Sequence, residues 1–339
     1  MATVKLSALE AYVRQTMLAC GLNQADADTV ADIVLRATVR GVGHHDIYDF
    51  PGRITGLLEK KLNPTPTLSK LAAFGGMESW DTDNALGEVG CAFAMDRAME
   101  LADAHGIGYC AIRNSNHNMA SSPYVERASE RGYIGLMLSK GPPTMGAPGR
   151  TDKPIGTLPM GYAFPTDHGY PVMMDACLAY ASYGVLKERM DRGEPVPPYW
   201  GYDEDGAPTT DPARLAKGTR QPIGGHKGFG LIILGEVLTG LLSHGCIIDE
   251  APGEGQATAT AHAAFAFKAD ALLPMDQFEA RTGEMIDRME ARAPGLHVPG
   301  QGSQKKREAA QAAGSIELTD ALVETLNGLA EKAGAAGLA

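Results

Sequence analysis

The stretch Gly108-Tyr109-Cys110-Ala111-Ile112-Arg113-Asn114-Ser115-Asn116-His117 begins as a short apolar run and ends in a cluster of polar side chains. Its first half is typical of a β-strand, and the residues before it, from about 91 to 104, predict a helix. Residues 133–138 form a second strand-like run. This alternation of helix and strand predicts an α/β fold, in which the first strand carries Asn114 to His117 at its end.

A glycine-rich segment lies farther along the chain, with the sequence Gly224-Gly225-His226-Lys227-Gly228-Phe229-Gly230-Leu231. A helix is predicted directly after it, from about residue 229 to 243. Backbone amides at a helix start and a lysine ammonium can together hold an anion. We therefore expect this segment and the polar strand end to form two walls of a nucleotide-dependent site.

Helical periodicity also marks both ends of the chain. Helices are predicted over residues 25–39 and from about 53 to 61, and Thr319 caps a last helix with a buried leucine stripe. That stripe consists of Leu322, Leu326 and Leu329. Residues 296–307 are predicted to be a loop. The terminal helices can therefore pack together.

The composition is typical of a soluble globular protein, with 44% hydrophobic and 21% charged residues. The 339 residues are enough for roughly two domains of ~150 residues each. The formal net charge of -11 argues against nucleic acid as a partner, because no broad basic face can form.

Cysteine usage and the apolar stretches bear on the cellular compartment. The five cysteines are widely scattered, without the close pairs of zinc or redox sites, and predict a reducing cytoplasm. The start, Met1-Ala2-Thr3-Val4-Lys5, has no signal or transit pattern. The most apolar stretch, residues 228–248, contains Glu236 and His244, so we expect a buried helix there and no membrane span.

Seven short motifs are spread along the chain: Gly41-Val42-Gly43-His44-His45, Gly106-Ile107-Gly108, Ser115-Asn116-His117, Gly156-Thr157-Leu158-Pro159, Thr209-Thr210-Asp211-Pro212, Lys227-Gly228-Phe229-Gly230-Leu231 and Pro299-Gly300. In order and spacing they resemble the malate/L-lactate/L-sulfolactate dehydrogenase family. That family also includes ureidoglycolate dehydrogenase, diketogulonate reductase and Δ1-piperideine-2-carboxylate reductase. The resemblance extends over about residues 5–335.

The resemblance implies an oxidoreductase that uses NAD or NADP on a small-molecule substrate and forms a homodimer. It implies a dinucleotide-binding fold unlike the Rossmann fold, and the sequence has no G-x-G-x-x-G that follows a strand and opens a helix. We expect a helical, substrate-binding domain of residues 1–75 with 305–339, and an NAD(P)-binding domain of residues 76–304.

The resemblance also implies catalytic residues. His45 matches the family's catalytic histidine, and imidazole is the side chain whose pKa best suits proton transfer near neutral pH. Asp175 matches an aspartate that the family keeps near the reacting centre. Lys140 is a further candidate because it follows the predicted strand 134–138. The alternatives are a half-exposed turn histidine, a helix-capping aspartate and a solvated lysine.

Cofactor contacts are expected from Ser115, Asn116 and His117, with His117 beside the nicotinamide, and from Thr157 in the same cleft. Ser and Asn side chains could instead bond their own backbone in a strand-end turn. Lys227 and Gly228 are expected to hold a phosphate, unless Lys227 is only a surface lysine. Arg307 is a further candidate for a phosphate contact, from its position in the predicted loop.

One departure from the family concerns substrate recognition. The usual Ser-His-Gly-Val-x-Arg reads His44-His45-Asp46-Ile47-Tyr48-Asp49 here, so Asp49 stands where an arginine would pair with a substrate carboxylate. Two anions at that contact repel each other. We therefore expect altered specificity, with His44, Tyr48, Asp49 and Arg53 near the substrate.

Two explanations of that departure stay open. Either Arg53, one helical turn after Asp49, supplies the missing cation, or the substrate offers an amine, imine or hydroxyl at this place. Leu158, where the family has asparagine, and Leu178-Ala179, where it has Thr-Ser, also remove polar groups from the site.

The sequence thus predicts a cytoplasmic NAD(P)-dependent dehydrogenase or reductase. An imine reductase is the alternative within the family, since Asp49 suits a cationic iminium. A metal-dependent hydrolase built on His44, His45, Asp46 and His117 is a more distant alternative, although no H-E-x-x-H spacing is present. A catalytically silent nucleotide-binding protein is the third alternative.

Overall fold

A seven-stranded mixed β-sheet forms the centre of the protein in a computed structural model, which describes residues 1–338. The strands are β1 (Ala2–Lys5), β2 (Ser69–Phe74), β3 (Met77–Asp81), β4 (Ile107–Ser115), β5 (Tyr133–Ser139), β6 (Met160–Phe164), β7 (Val172–Ala176), β8 (Gly201–Tyr202), β9 (Thr219–Arg220), β10 (Thr260–Lys268) and β11 (Ser315–Leu318). The sheet has the order β2-β3-β4-β10-β5-β6-β7. Only β3 and β4 pair in parallel, while the other neighbours are antiparallel.

Helices cover the sheet and build the ends of the chain. They are α1 (Leu6–Ala19), α2 (Gln24–Val39), α3 (Phe50–Leu58), α4 (Gly87–His105), α5 (Ser122–Glu130), α6 (Tyr183–Arg192), α7 (Pro212–Lys217), α8 (His226–Glu236), α9 (Met275–Arg292), α10 (Gln301–Ala313) and α11 (Asp320–Ala333). This mixture of helices with a central sheet confirms the predicted α/β class.

The helix α4 and the strand β4 form the densest part of the core. The side of β4 that faces α4 is apolar, and α4 buries alanines and methionines against it, including Ala98 and Met99. Gly108 lies so close to the α4 backbone at Ala98 and Ala102 that a Cβ there would overlap main-chain atoms. The strand therefore approaches the helix at a distance that only glycine permits.

The two ends of the chain pair with each other. β1 and β11 form an antiparallel ribbon, and Tyr12 of α1 donates a 2.6 Å hydrogen bond to the carbonyl of Leu326 in α11. The helix predicted after Thr319 is confirmed, and the Thr319 hydroxyl accepts from the backbone N–H of Leu322 at 3.3 Å. Both ends thus contribute to one apolar cluster.

Two predictions about the later part of the chain are wrong. Residues 296–307 are not all loop, because α10 begins at Gln301. This helix has no fully buried residue, so it lacks the apolar periodicity by which helices are recognised. The apolar stretch 228–248 is not a fully buried helix either, since Leu231 and Leu234 of α8 are 52% and 51% exposed.

Two findings concern the surroundings of the protein. Over residues 1–338, none of the helices is long and apolar enough to cross a membrane. All five cysteines are free thiols.

Candidate functional site

A tight turn between α2 and α3 carries His44 and His45. Gly41 and Gly43 adopt the left-handed conformation there, with φ of 62° and 82°. The buried carboxylate of Asp46 accepts hydrogen bonds from the backbone N–H groups of Gly43 at 2.8 Å and Tyr48 at 3.1 Å. Burial raises the pKa of Asp46 to about 7, against these two hydrogen bonds, which lower it. The turn is therefore held from inside, and its two histidines face outward.

Three imidazole rings meet at this turn. The ring centroids of His44 and His45 are 4.4 Å apart, and those of His45 and His117 are 5.0 Å apart. Burial, together with the nearby imidazoles of His117 and His44, lowers the pKa of His45 to about 4. His45 is therefore neutral at pH 7 and can accept a proton.

A cavity of about 630 Å³ opens beside His44 and His45. The end of β7 and the residues after it line one side of the cavity, and the start of α10 lines another. Its ionisable lining residues are Arg40, His44, His45, Asp175, Cys177, Tyr180, His297 and Lys306. The remaining lining is mostly apolar and includes Met119, Pro159, Met173 and Ile223. A few polar groups on apolar walls are typical of a small-molecule site.

Asp175 lies near the end of β7 and accepts a 2.7 Å hydrogen bond from the backbone N–H of Ser122 at the start of α5. Asp175 is exposed to the cavity, but the protein packed around its carboxyl group weakens its hydration. This burial raises the pKa of Asp175, although the hydrogen bonds from Ser122 and the charge of His44 oppose the shift. The carboxyl group therefore binds a proton more readily than a free aspartate does.

Packing against α6 positions His44. The Ser182 hydroxyl, which also caps α6, lies 3.3 Å from Nε2 of His44. A Cβ at Gly184 would overlap the His44 ring, so this glycine lets the first turn of α6 lie flat on the imidazole.

Asp49 and Arg53 of the predicted substrate site are paired with each other. Nη1 of Arg53 donates to Oδ2 of Asp49 at 2.7 Å, and Nε donates to Oε1 of Glu88 at 2.7 Å. Nη2 donates to the carbonyl of His117 at 2.9 Å. The whole Arg53 residue is only 8% exposed. The guanidinium is thus engaged by protein groups on all three of its nitrogens.

The strand-end residues Ser115, Asn116 and His117 point in different directions. The hydroxyl of Ser115 is buried without a hydrogen-bond partner, and the Asn116 amide donates to the carbonyl of Ala85 at 2.8 Å and to Asn84. Only His117 reaches the imidazole cluster, with a side chain that is 54% exposed. Asn116 therefore ties the strand end to residues 84–85, which are distant in the sequence, and it does not bond its own backbone.

Ile223, which directly precedes the glycine-rich segment in the sequence, lines the cavity. The backbone N–H of Ile223 donates to the carbonyl of Leu178 at 2.9 Å, so the segment lies beside the chain that leaves β7. Lys227 is exposed, and Gly228 is buried against the Ile223 carbonyl. The carbonyl of Thr157 accepts from the backbone N–H of Leu178 at 2.8 Å. Neither Lys227 nor Thr157 lines the cavity itself.

Three other predicted site residues lie away from this cavity. The Lys140 ammonium is buried beside the carbonyls of Ile248 at 3.3 Å and Ala259 at 3.4 Å. Arg307 forms ion pairs with Glu126 and Glu130 of α5. Tyr48 is 41% exposed and lines a separate surface depression. The structure therefore brings His44, His45, His117 and Asp175 together, and it does not bring these three to them.

The sequence did not single out His297, Lys306, Ser182 or Arg40, although all four line the cavity. His297 precedes α10, and Lys306 lies within it, with its ammonium 3.3 Å from the carbonyl of Gly41. The only sequence signal near them is Pro299-Gly300 in the family motif. His297 and Lys306 reach the cavity because α10 packs against α2, so that two helices far apart in the sequence are in contact.

The hydrolase alternative requires a cluster of side chains that can hold a metal ion. Among the described residues, 1–338, no group of three or more His, Cys, Asp or Glu side chains is arranged to hold a metal ion.

Comparisons with known proteins agree along most of the chain. The family profile described as malate/L-lactate dehydrogenase matches residues 4–327. A 2,3-diketo-L-gulonate reductase from Klebsiella pneumoniae is 34% identical over 253 residues, which cover 74% of this chain and 75% of that enzyme.

Solved structures share the fold. A sulfolactate dehydrogenase from Methanocaldococcus jannaschii superposes with a TM-score of 0.90 at 25% identity, over 99% of this chain and 98% of that one. A Δ1-piperideine-2-carboxylate reductase from Pseudomonas syringae superposes with a TM-score of 0.87 over 97% of this chain and 100% of that one. At 24% identity, the second likeness concerns the fold alone.

Proposed function

Because this chain belongs to the malate/L-lactate dehydrogenase family, whose members are dehydrogenases and reductases, we propose that it transfers a hydride between NAD or NADP and a small substrate. The substrate carries a hydroxyl or keto group, or an amine or imine group, at the reacting carbon. One observation carries the proposal: His45 and Asp175, which match the family's reacting centre, line the same cavity.

His45 is the proton-transfer group in this proposal. Its neutral imidazole accepts the hydroxyl proton when the substrate is oxidised and then releases it to solvent. In the reverse reaction His45 takes up a proton from solvent and donates it to the developing alkoxide or amine. Asp175, which lines the same cavity, orients or tunes this transfer. Its raised pKa supports such a role, because the carboxyl group can share a proton with a neighbouring donor.

The residues present fit a nicotinamide dinucleotide. When bound, the nicotinamide supplies the ring carbon that accepts or donates the hydride. His117 offers an exposed imidazole beside His45, suited to contact with a flat ring. Lys227 is exposed in the first turn of α8, directly after the left-handed glycines Gly224 and Gly225, with φ of 61° and 63°. An ammonium at the start of a helix suits phosphate oxygens.

The pairing of Asp49 with Arg53 supports altered substrate specificity. A guanidinium held by Asp49, Glu88 and the His117 carbonyl cannot also bind a substrate carboxylate unless one of those contacts breaks. Breaking a buried ion pair is costly, since the partner left behind stays unpaired. We therefore infer that a carboxylate, where the substrate has one, is not bound at Arg53.

The imine-reductase alternative depends on a free carboxylate beside the iminium. Asp49 is a weak candidate for that role because its charge is already balanced by Arg53 at 2.7 Å. Asp175 is the remaining carboxylate of the cavity that can serve it. A cyclic imine therefore stays in the substrate panel as the second candidate.

We further propose that the protein is a homodimer and that α8 contributes to the interface. Leu231, Ile233 and Leu234 of α8 and Leu241 after it are 52%, 47%, 51% and 49% exposed. Contiguous apolar surface of this kind is uncommon on a monomer and typical of an association site. The partner that covers this surface is a second copy of this chain.

Paired titrations with NADH and NADPH test the function most directly. We expect saturable binding of at least one reduced cofactor to the purified protein, followed by its oxidation in the presence of one member of a substrate panel. The panel contains 2-keto acids, sugar-derived keto acids and a cyclic imine carboxylate. Absence of binding with both cofactors contradicts the proposal, whereas binding without turnover favours the silent nucleotide-binding protein. Efficient turnover of the malate or lactate couple contradicts the altered specificity.

A further inference from the structure

The protein holds one edge of the His117 ring through hydrogen bonds to Nδ1. Nδ1 lies 3.0 Å from Nη2 of Arg53 and 3.3 Å from the backbone N of Met119, both of which are donors. Yet more than half of the His117 side chain is exposed, and its ring centroid lies 5.0 Å from that of His45. The exposed part of the ring is the part that is not engaged through Nδ1.

Arg53 is fixed in turn by two carboxylates. Asp49 binds Nη1 and Glu88 binds Nε, each at 2.7 Å, so the third nitrogen, Nη2, is left to meet His117. Glu88 is fully buried, and it cannot be replaced by solvent as a partner. The orientation of Nη2 therefore depends on both carboxylates.

This arrangement dictates where the neutral imidazole carries its hydrogen. The two N–H donors lie at 3.0 and 3.3 Å from Nδ1, nearer than Oδ2 of Asp49 at 3.4 Å, so Nδ1 is an acceptor and the hydrogen of neutral His117 lies on Nε2. Among residues 1–338, none forms a hydrogen bond with Nε2, and 54% of the side chain is exposed. Nε2 can donate a hydrogen bond to a molecule in the space beside His45.

Asp49 also lies close to the ring itself, with Oδ2 3.4 Å from Nδ1 of His117. Burial alone raises the pKa of Asp49, but His117 and Arg53 outweigh it and hold this pKa at about 2. Asp49 is thus ionised throughout the physiological range.

We propose that Asp49 is a positioning residue: through Arg53 it holds His117 with Nε2–H directed at a substrate oxygen beside His45. This inference rests on the proposed function and replaces the expectation that Asp49 contacts the substrate. The two roles differ in kinetics, since loss of a substrate contact raises KM, whereas loss of orientation at the reacting centre lowers kcat.

Substitution at position 49 tests the assignment. Asp49→Asn keeps the shape and removes the charge that holds Arg53, so we expect kcat to fall by about 10- to 100-fold while KM changes by less than about threefold. Asp49→Glu retains the carboxylate and is expected to recover at least part of that loss. The matched control is Glu10→Gln, which removes the charge from another carboxylate–arginine pair four residues apart, with 2.6 Å between Glu10 and Arg14 on α1. A raised KM with unchanged kcat, or no change at all, overturns the proposal.

The tautomer of His117 provides a second measurement that does not depend on turnover. Long-range ¹H–¹⁵N NMR of ¹⁵N-histidine-labelled wild-type protein distinguishes the two neutral tautomers, and loss of one signal in His117→Gln assigns the ring. We expect hydrogen on Nε2, and a neutral ring with hydrogen on Nδ1 overturns the proposal even if Asp49→Asn fails to fold. Failure to bind either cofactor contradicts the proposed function without altering this result, so the two failures are distinguishable.

Discussion

The protonation state of His45 depends on burial and on two neighbouring imidazoles, one adjacent in the sequence and one distant from it. Burial and the two adjacent imidazoles, His44 and His117, favour its neutral form and lower its pKa to about 4. A catalytic base must be unprotonated before it can accept a proton. In the proposed oxidising reaction, His45 is therefore ready to accept a proton across the neutral range, whereas in the reducing reaction it must first bind a proton from solvent.

The pH profile of the oxidising reaction tests this. Because protonated His45 cannot accept a proton, we expect kcat/KM to stay level from pH 8 down to about pH 5 and to fall through about pH 4. His45→Gln is expected to lower kcat by about 10²- to 10⁴-fold, the usual range for loss of a positioned acid–base group. The control is His168→Gln, which removes a histidine paired with Asp287 away from the cavity. A limb centred near pH 6.5, or an unchanged kcat in His45→Gln, contradicts the role of His45.

The contact of β4 with α4 brings the polar strand end to its place. Gly108 allows the strand backbone to touch the helix backbone at Ala98 and Ala102, and β4 then ends at Ser115, shortly before His117. An added methyl group meets main-chain atoms there, which cannot rotate away as a side chain can. The position of His117 therefore depends on close packing at the other end of the same strand.

Gly108→Ala is expected to destabilise the protein by about 3 kcal/mol, at the upper end of the range for overpacking a core. Urea unfolding followed by circular dichroism measures the change. The matched control is Gly328→Ala in α11, where an added Cβ meets nothing within 4 Å. Because glycine is unfavourable inside helices, that variant is expected to gain about 0.5–1 kcal/mol. Equal stability of the two variants contradicts the packing argument.

At the scale of the whole molecule, the main feature is the exposed apolar face of α8. Burying a half-exposed leucine side chain against a second copy is favourable and stabilises the dimer. The sequence shows that residues 228–248 are apolar, but it does not show whether the same chain or another copy buries them. The proposed homodimer assigns that role to a second copy.

Leu234→Glu tests the dimer. Burying a glutamate carboxylate in an apolar contact is unfavourable, so we expect the dimer to weaken at least about tenfold, which is about 1.4 kcal/mol. Size-exclusion chromatography with light scattering over a dilution series measures the change. Leu272→Glu is the control, since Leu272 is 98% exposed and lies outside α8. A wild-type protein that is monomeric at every concentration contradicts the proposal, as does a variant that dimerises like wild type.

The amino-acid sequence alone determined the α/β class, the helix capped by Thr319 and the family resemblance, from which His45 and Asp175 were predicted as site residues. Each of these rests on local order: periodicity, a cap, or residues in a short motif. The roles of the site residues stay predictions, and so does the division of the chain near residues 75 and 305.

Only the tertiary structure decided what Arg53 contacts and which residues line the cavity. Arg53 binds Glu88 and His117, which lie 35 and 64 residues away in the sequence. His297 and Lys306 line the cavity because α10, a helix without apolar periodicity, packs against α2. Such contacts form between elements that are far apart in the chain. Packing and charge in three dimensions determine which residues come into contact, and local sequence patterns do not contain this information.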